Sequence, residues 1–455
     1  MSSRWSEPGT RDATHRPPPP GTGPMLHAVA SPRYRAIGPS AFDRLPEAQR
    51  LRRAERTALQ VVSRVLPFRV NDHVVRNLID WEKALDDPLF RLVFPHRDML
   101  EPHDFDRLCE LQSRGAPKAA VDILVREIRQ RLNPHPSGQR QHNVPSFAGA
   151  ALPGVQHKYR ETVLYFPARG QTCHAYCAFC FRWAQFVGDR ELRFASREID
   201  RLIAYLRANE SISDVLLTGG DPLIMSTRHL AALIEPLLGA DLQHVGNIRI
   251  GTKSLSFWPQ RFVSDPDADA LLRLLERVTL KGRHVALMAH VNHPREIDNP
   301  IALAAIRRLR DAGATIRSQA PLLARVNDSP AVWAENWRLQ VRLGIQPYYM
   351  FVERDTGPRR FFGVPLRRCW EIYREAVQQV SGLARTARGP VMSATPGKVE
   401  IVGVAPDGHK DLLILQFLQA RDPAWVRRPF LAEADPSATW YDELHLLGNA
   451  PVTLG

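Results

Sequence analysis

Residues 173–180 read Cys-His-Ala-Tyr-Cys-Ala-Phe-Cys, with cysteines at Cys173, Cys177 and Cys180. This Cys-x3-Cys-x2-Cys spacing places three thiolates in one short loop. Thiolates hold iron–sulfur clusters, and three of them bind three irons of a cubane and leave the fourth iron open for chemistry. A zinc site or a group of core cysteines is the alternative, but structural zinc takes four ligands. The loop therefore predicts a 4Fe–4S cluster.

Apolar, β-rich runs alternate with helical stretches on both sides of this loop. Such alternation predicts parallel strands with helices outside them, and six units predict an α/β fold, a partial (β/α)6 barrel. Barrels carry their chemistry at the carboxyl ends of the strands, and the cluster loop directly follows the first run. A doubly wound sheet is the structural alternative. The runs are 162–166, 214–218, 247–251, 284–291, 315–323 and 347–352, and the helical stretches lie near 197–209, 226–239, 267–280, 299–312 and 329–343.

The remaining sequence predicts extensions at both ends of the barrel. The first segment is rich in proline, glycine and arginine and cannot bury a core, so we expect a disordered tail. A helical region with a linker follows, and the C-terminal region contains a helix near 365–380 and a strand pair near 397–404 and 412–418. The predicted divisions are the tail 1–45, the helical N-terminal region and linker 46–150, the barrel 151–352 and the C-terminal region 353–455.

Composition indicates a reducing compartment. The chain has 455 residues and five cysteines, three of them in the cluster loop, which argues against a secreted disulfide framework. No apolar run is long enough to span a bilayer and no signal peptide is evident, so we expect a cytoplasmic protein without a membrane partner. The net charge is +13. Its arginines are spread along the helices rather than grouped in a tail, so the charge does not predict a nucleic-acid partner.

Beyond the cluster loop, the chain resembles the radical S-adenosyl-L-methionine (radical SAM) superfamily and, within it, the lysine 2,3-aminomutase family. The similarity runs from about residue 67 to residue 401, and its blocks follow the family order. No block except the cysteines is specific alone. The blocks are 157–163 (HKYRETV), 180–182 (CFR), 214–222 (DVLLTGGDP), 248–262 (IRIGTKSLSFWPQRF), 290–294 (HVNHP), 318–328 (SQAPLLARVND) and 346–349 (QPYY).

The resemblance implies how SAM is held and used. In the family, the open iron chelates the amino and carboxylate groups of SAM, and an electron from the cluster cleaves SAM to a 5′-deoxyadenosyl radical. This radical starts a 2,3-amino shift on an α-amino acid. The family motifs place Gly219, Gly220, Asp221, His290 and Gln319 at the SAM site. An ordinary strand-to-helix turn is the alternative for the two glycines.

The resemblance also implies residues for substrate and electron donor. Arg182 would grip the carboxylate of the amino-acid substrate, because a guanidinium binds a carboxylate bidentately. A surface salt bridge is the alternative for this arginine. The reductant would be flavodoxin or ferredoxin, and a homo-oligomer is compatible with the family.

Family aminomutases further use pyridoxal 5′-phosphate (PLP) on a lysine. The matching position is Lys398, in the sequence Pro396-Gly397-Lys398, and a lysine in a hairpin turn is the alternative. Tyr159 stands where the family stacks a tyrosine on PLP. Thr162 replaces a family arginine close to the phosphate. The resemblance thus implies PLP with Lys398 and Tyr159 as its contacts.

The residues that would recognise the substrate side chain differ from those of the lysine-specific family members. Lysine-specific members hold the distant ammonium group with two aspartates, and here Asp355 matches one of them only across a gap. The second position falls in Ser393-Ala394-Thr395, which has no carboxylate. We therefore expect an α-amino acid substrate with free L-lysine a poor one. The alternatives are a PLP-free radical SAM enzyme of the epimerase or dehydrogenase type, and a radical SAM enzyme that modifies a macromolecule.

Overall fold

The computed structural model describes residues 33–134, 143–188, 193–408 and 410–448. Its strands are β1 Ala36–Ile37, β2 Val70–Asn71, β3 Ser146–Phe147, β4 Ala150–Ala151, β5 Val155–Tyr159, β6 Thr162–Tyr165, β7 Asp214–Leu217, β8 Asn247–Thr252, β9 His284–His290, β10 Thr315–Leu322, β11 Gln346–Val352, β12 Arg388–Ser393, β13 Gly397–Asp407, β14 Lys410–Ala420, β15 Pro429–Glu433 and β16 Leu446–Leu447. Its α-helices are Pro39–Phe42, Arg53–Val62, Pro88–Val93, Pro102–Ser113, Lys118–Leu132, Ile199–Arg207, Thr227–Ile234, Ser254–Phe257, Ala268–Leu280, Pro300–Asp311, Pro330–Arg342, Arg359–Phe362 and Leu366–Gln378.

Strands β5 to β16 form one sheet in which each strand pairs with its neighbours in chain order. Strands β6 to β12 run parallel to one another, with helices in their connections. A doubly wound sheet would reverse its strand order at a switch point, and this sheet does not. The prediction of a partial barrel is therefore confirmed. All six predicted strands are present as β6 to β11.

A seventh parallel strand, β12, was not predicted. It pairs with β11. Its sequence includes Gly389 and Pro390, residue types that are atypical of strand interiors, so the sequence gives no strand signal there. Strand β12 matters for the site because it joins the barrel to the antiparallel strands that follow.

The helices are amphipathic, and their apolar faces cover the barrel strands. In the helix Ala268–Leu280, the buried residues include Leu271, Leu274, Leu275 and Val278, which recur at the spacing of one helix face. Full burial of each such side chain stabilises the fold by roughly 1.5–3 kcal/mol. This packing holds the strands in place, and it thereby positions the loops that begin at their carboxyl ends.

The C-terminal region extends the sheet with the antiparallel strands β13 to β16. The predicted strand pair is confirmed and is longer than predicted. The helix Leu366–Gln378 shares a hydrophobic core with these strands. Lys398 lies near the start of β13, opposite Ser393 of β12 and Gln419 of β14.

Ordered structure begins before the predicted tail boundary at residue 45. Residues 1–32 lie outside the described residues, but β1 pairs with β2, and Ile37 and Phe42 are fully buried. Ile37 pairs with Val70 of β2, and the ring of Phe42 packs against Phe68 and Phe94. These partners lie far along the chain, so local composition does not reveal them. At the end of the predicted helical region and linker 46–150, β3 and β4 pair as a hairpin, and residues 135–142 are not described. Nowhere in the described ranges does a helix combine the length and apolar character needed to cross a membrane.

Candidate functional site

The cluster loop, residues 170–182, follows β6 at the carboxyl edge of the barrel. Cys173 has both Cys177 and Cys180 among its electrostatic neighbours, so the structure brings the three predicted ligands together. Burial raises the pKa of the Cys180 thiol to about 11, and it raises the pKa values of Cys173 and Cys177 as well. The metal-free thiols are therefore protonated, and binding of iron must displace their protons.

The donor set of the cluster loop consists of three neighbouring cysteine thiols. Structural zinc sites take four protein ligands. In a cubane each thiolate binds a different iron, so its three cysteines stand apart around the cluster. The residues present thus fit a 4Fe–4S cluster.

Backbone contacts from the N-terminal region hold the cluster loop in place. The amide of Tyr176 donates to the carbonyl of Arg69 at 2.8 Å, and the amide of Ala178 donates to the carbonyl of Leu92 at 2.7 Å. The Arg69 guanidinium also donates to Thr172 Oγ1 at 2.6 Å. These contacts could not be predicted from the sequence, because they join segments roughly 90–110 residues apart without any local pattern.

The predicted glycine pair packs directly against the cluster loop. Gly219 has φ of +132°, a backbone conformation that side chains disfavour. A Cβ atom on Gly220 would lie 2.4 Å from the carbonyl oxygen of Thr172. The amide of Asp221 donates to that same oxygen at 2.7 Å. Glycine is therefore required here for the close approach of two loops.

Asp221 is buried, and its carboxylate is fully engaged by protein donors. It accepts hydrogen bonds from Thr252 Oγ1 at 2.8 Å, the Lys253 amide at 2.9 Å and the Leu223 amide at 3.0 Å. Ser254 Oγ donates to it at 2.9 Å. A carboxylate offers about four lone-pair sites, and these donors occupy them. Asp221 therefore ties the loop after β7 to the residues that follow β8, and its place among the SAM contacts stays a prediction.

Ser254 extends this support to the cluster loop through His174. The Nδ1 atom of His174 lies 2.9 Å from Ser254 Oγ. Because the single hydroxyl proton of Ser254 is donated to Asp221, His174 must carry its proton on Nδ1; this tautomer is assigned from the hydrogen-bond network. Burial lowers the pKa of His174 to about 3, so the ring is neutral. The ring lies nearly parallel to that of Trp258, with centroids 6.3 Å apart.

His290 and Gln319, both predicted at the SAM site, contact each other. They are register partners on β9 and β10, and Gln319 Nε2 lies 2.9 Å from His290 Nε2. Burial lowers the pKa of His290 to about 3. A neutral imidazole can accept this hydrogen bond from the amide, which fixes the orientation of both side chains.

A buried ion pair that was not predicted lies next to the backbone of His290. Lys253 Nζ donates to Glu296 Oε2 at 2.7 Å and to Asn292 Oδ1 at 2.9 Å. Glu296 is fully buried. Both partners fall within or beside blocks of the family resemblance, which was the available signal. Removal of either charge would leave the other buried and uncompensated.

The predicted PLP lysine and tyrosine also lie together. Lys398 Nζ is 5.7 Å from the ring centroid of Tyr159 and 4.8 Å from that of Tyr349, and it donates to Gln419 Oε1 at 2.9 Å. Burial, together with the charges of two nearby arginines, lowers the pKa of Lys398 to about 7. A large fraction of its amine is therefore neutral near pH 7 and able to attack an aldehyde.

Two further features of this pocket suit PLP. The buried hydroxyl of Tyr159 finds no hydrogen-bond partner within the described part of the chain, so it is available to a ligand. Lys158 and Arg421 supply positive charge near the pocket. Burial and the charge of Arg421 lower the pKa of Lys158 to about 7. The ammonium of Lys158 donates to the carbonyl of Ala394. The residues present therefore fit the cofactor, although Thr162 offers no charge for its phosphate.

Arg182 lies beside the cluster cysteines as predicted. Its guanidinium carbon is 4.2 Å from the ring centroid of Phe166 and 5.1 Å from that of Phe181. Burial lowers the pKa of Arg182 to about 10. The Arg182 side chain is thus buried against two aromatic rings beside the cluster loop.

The acidic residues after β11 do not form a carboxylate pair for a substrate ammonium. Glu353 is buried with neither oxygen hydrogen-bonded inside the described ranges, and burial raises its pKa well above the usual range. Its electrostatic neighbours are Arg359 and Cys369 of the C-terminal region, not Arg182. Asp355 Oδ1 lies 3.6 Å from Arg354 Nε. The adjacent cation therefore offsets the charge of Asp355.

The chain is similar to several known proteins. Residues 161–252 match a family model described as a 4Fe-4S single cluster domain. The chain is 30% identical over 390 residues to an Aquifex aeolicus protein named "Putative L-lysine 2,3-aminomutase". The aligned region covers 86% of this chain and 90% of that protein. It is 31% identical over 233 residues to the L-lysine 2,3-aminomutase of Fusobacterium nucleatum, which covers 51% of each chain. Among solved structures, a radical SAM methyltransferase from Sphaerobacter thermophilus aligns at 17% identity with a TM-score of 0.35, over 51% of this chain and 68% of that one.

Proposed function

Since this chain belongs to the lysine 2,3-aminomutase family of radical SAM enzymes, we propose that it shifts the amino group of an α-amino acid from C2 to C3 with the assistance of PLP. When bound, the 4Fe–4S cluster and SAM supply a carbon radical that abstracts a hydrogen atom, and PLP supplies a conjugated system for nitrogen migration. The three cysteines Cys173, Cys177 and Cys180 would hold the cluster.

The position of Lys398 is the observation that carries the PLP part of this proposal. Its side chain is half-buried, its pKa is lowered to about 7, and its amine lies near the rings of Tyr159 and Tyr349. These residues would attach the cofactor covalently and stack against its ring. A hairpin lysine without such a role would keep its ammonium in water, because burial of an unpaired charge is costly.

Arg182 would orient the substrate. A guanidinium between two aromatic rings is held in one pose, and its planar fork receives a carboxylate bidentately. Its place next to Cys180 would put the substrate carboxylate close to the cluster loop. Gly219 and Gly220, together with the Asp221–Ser254–His174 chain, would keep that loop in register with the rest of the barrel.

The N-terminal region would shield the reactive centre. Its contacts from Arg69 and Leu92 cover one side of the cluster loop, and reactive intermediates require the exclusion of water and competing hydrogen donors. The electron would come from a small acidic carrier such as flavodoxin or ferredoxin. The net charge of +13 suits such a partner, because opposite charge steers encounter.

The test is an anaerobic reaction of reconstituted protein with SAM, PLP, a chemical reductant and a panel of amino acids. Mass spectrometry should detect both 5′-deoxyadenosine and a β-amino product from at least one amino acid. The K398A variant should still cleave SAM but form no β-amino product. If SAM is cleaved and no amino acid is rearranged with or without PLP, the aminomutase proposal fails and a PLP-free radical reaction replaces it.

A further inference from the structure

Arg354 lies at the carboxyl edge of the barrel, two residues beyond the end of β11. Its guanidinium carbon is 5.5 Å from the ring centroid of Phe181 and 5.3 Å from that of Trp440. Phe181 directly follows the cluster ligand Cys180. Arg354 is therefore held between the cluster loop and the C-terminal region, on the side of the barrel where the cluster loop lies.

The guanidinium groups of Arg354 and Arg182 both lie against the ring of Phe181, with their carbons 5.5 Å and 5.1 Å from its centroid. Arg182 is buried, and the side chain of Arg354 is 33% exposed. Burial and, to a smaller extent, the charges of Arg421 and Arg354 lower the pKa of Lys158, beside the proposed PLP pocket. Neighbouring guanidinium groups repel each other, and that cost falls when anions bind between them.

The protein itself only partly satisfies Arg354. The Nε atom lies 3.6 Å from Asp355 Oδ1, beyond hydrogen-bond distance, and it has no acceptor among the described residues. Asp442 is the other acid that interacts with this guanidinium. Four basic residues, Arg354, Arg182, Lys158 and Arg421, lie in the same region as these two acids. Among the residues that the structure describes there, positive charge is therefore in excess.

We propose that the substrate bears a second carboxylate on its side chain, bound by Arg354, and that it is therefore an amino dicarboxylic acid. This inference rests on the proposed function, in which Arg182 binds the α-carboxylate. The two guanidinium groups would hold the two acidic ends of one molecule, each through charge-assisted hydrogen bonds. A side-chain ammonium would instead meet a cation and would bind poorly.

Equilibrium binding to the reconstituted holoenzyme without reductant separates recognition from chemistry. L-Glutamate, L-aspartate, L-glutamine and L-lysine are titrated calorimetrically. We expect at least one dicarboxylic acid to bind about 10- to 100-fold more tightly than L-glutamine and L-lysine, the range for one hydrogen-bonded charge. R354Q should abolish that preference, and R354E should move it towards L-lysine. R428Q, which removes an exposed arginine, is the matched charge control and should keep the preference.

Turnover assays then distinguish a failure of the Arg354 inference from a failure of the proposed function. Iron content and circular dichroism establish that R354Q retains its cluster and its fold. If wild-type protein binds and rearranges L-lysine or a neutral amino acid in preference to both dicarboxylic acids, the Arg354 inference is wrong and the aminomutase proposal stands. If it rearranges no amino acid at all, the proposed function is wrong, and the inference falls with it.

Discussion

The hydroxyl of Ser254 donates a hydrogen bond of 2.9 Å to the carboxylate of Asp221. This contact joins the loop after β8 to the loop after β7, and Ser254 continues it to His174 in the cluster loop. The hydrogen-bonded side chains of Asp221, Ser254 and His174 thus connect the predicted glycine motif to the loop that carries the predicted metal ligands. Buried networks of this kind are sensitive to the loss of one member, because the remaining groups are left without partners.

Replacement of Ser254 by alanine should destabilise the protein. Asp221 and His174 would each lose a buried hydrogen bond, so the free energy of unfolding should fall by about 1–3 kcal/mol. Chemical denaturation and iron content are the measurements, and iron content should fall as well. S264A is the matched control, because Ser264 Oγ is buried without a hydrogen bond to the described residues. Equal stability of S254A and wild type would contradict the role assigned to this network.

Alanine at Gly220 should separate the two loops. The new Cβ would lie 2.4 Å from the oxygen and 2.5 Å from the nitrogen of Thr172, both backbone atoms that cannot rotate away. We expect a loss of about 1–3 kcal/mol in unfolding free energy, typical of overpacking, and a weakened cluster. G246A is the control, since a Cβ there meets nothing within 4 Å. Thermal unfolding and the visible absorbance of the cluster measure both effects.

Only the three loop cysteines should hold the cluster. Anaerobic reconstitution should yield about four irons per chain, and alanine at Cys173, Cys177 or Cys180 should abolish SAM cleavage. C109A should be unaffected, because Cys109 lies on the helix Pro102–Ser113 in the N-terminal region. C369A removes a buried thiol and should cost some stability without loss of iron. Loss of the cluster in C109A or C369A would overturn the three-ligand assignment.

Lys398 should react with PLP in a pH-dependent way. Only the neutral amine attacks an aldehyde, and burial lowers its pKa to about 7. The rate of adduct formation in the apoprotein should therefore rise as pH increases through about 7 and level off above it. Borohydride reduction and peptide mapping should place the pyridoxyl group on Lys398 and not on the exposed Lys410. Labelling of another lysine would move the site, and no labelling would favour a PLP-free enzyme.

Local sequence patterns were sufficient to predict most of the barrel's strands and helices. Each strand from β6 to β11 is an apolar run between turn residues, and each intervening helix repeats its apolar residues at helical spacing, so both can be recognised without tertiary information. Strand β12 could not be recognised, because Gly389 and Pro390 interrupt its pattern and its pairing with β11 is long-range.

The sequence by itself determined the spacing of Cys173, Cys177 and Cys180 and the chain order of the barrel strands, because both are local properties. Only the tertiary structure decided what surrounds them. Residues distant in the chain meet in three places: the donors that surround the Asp221 carboxylate, the hydrogen bond from Arg69 to the cluster loop, and the approach of Arg354 to Arg182. A side chain's partners and its burial depend on the packing of whole elements, which no local pattern encodes.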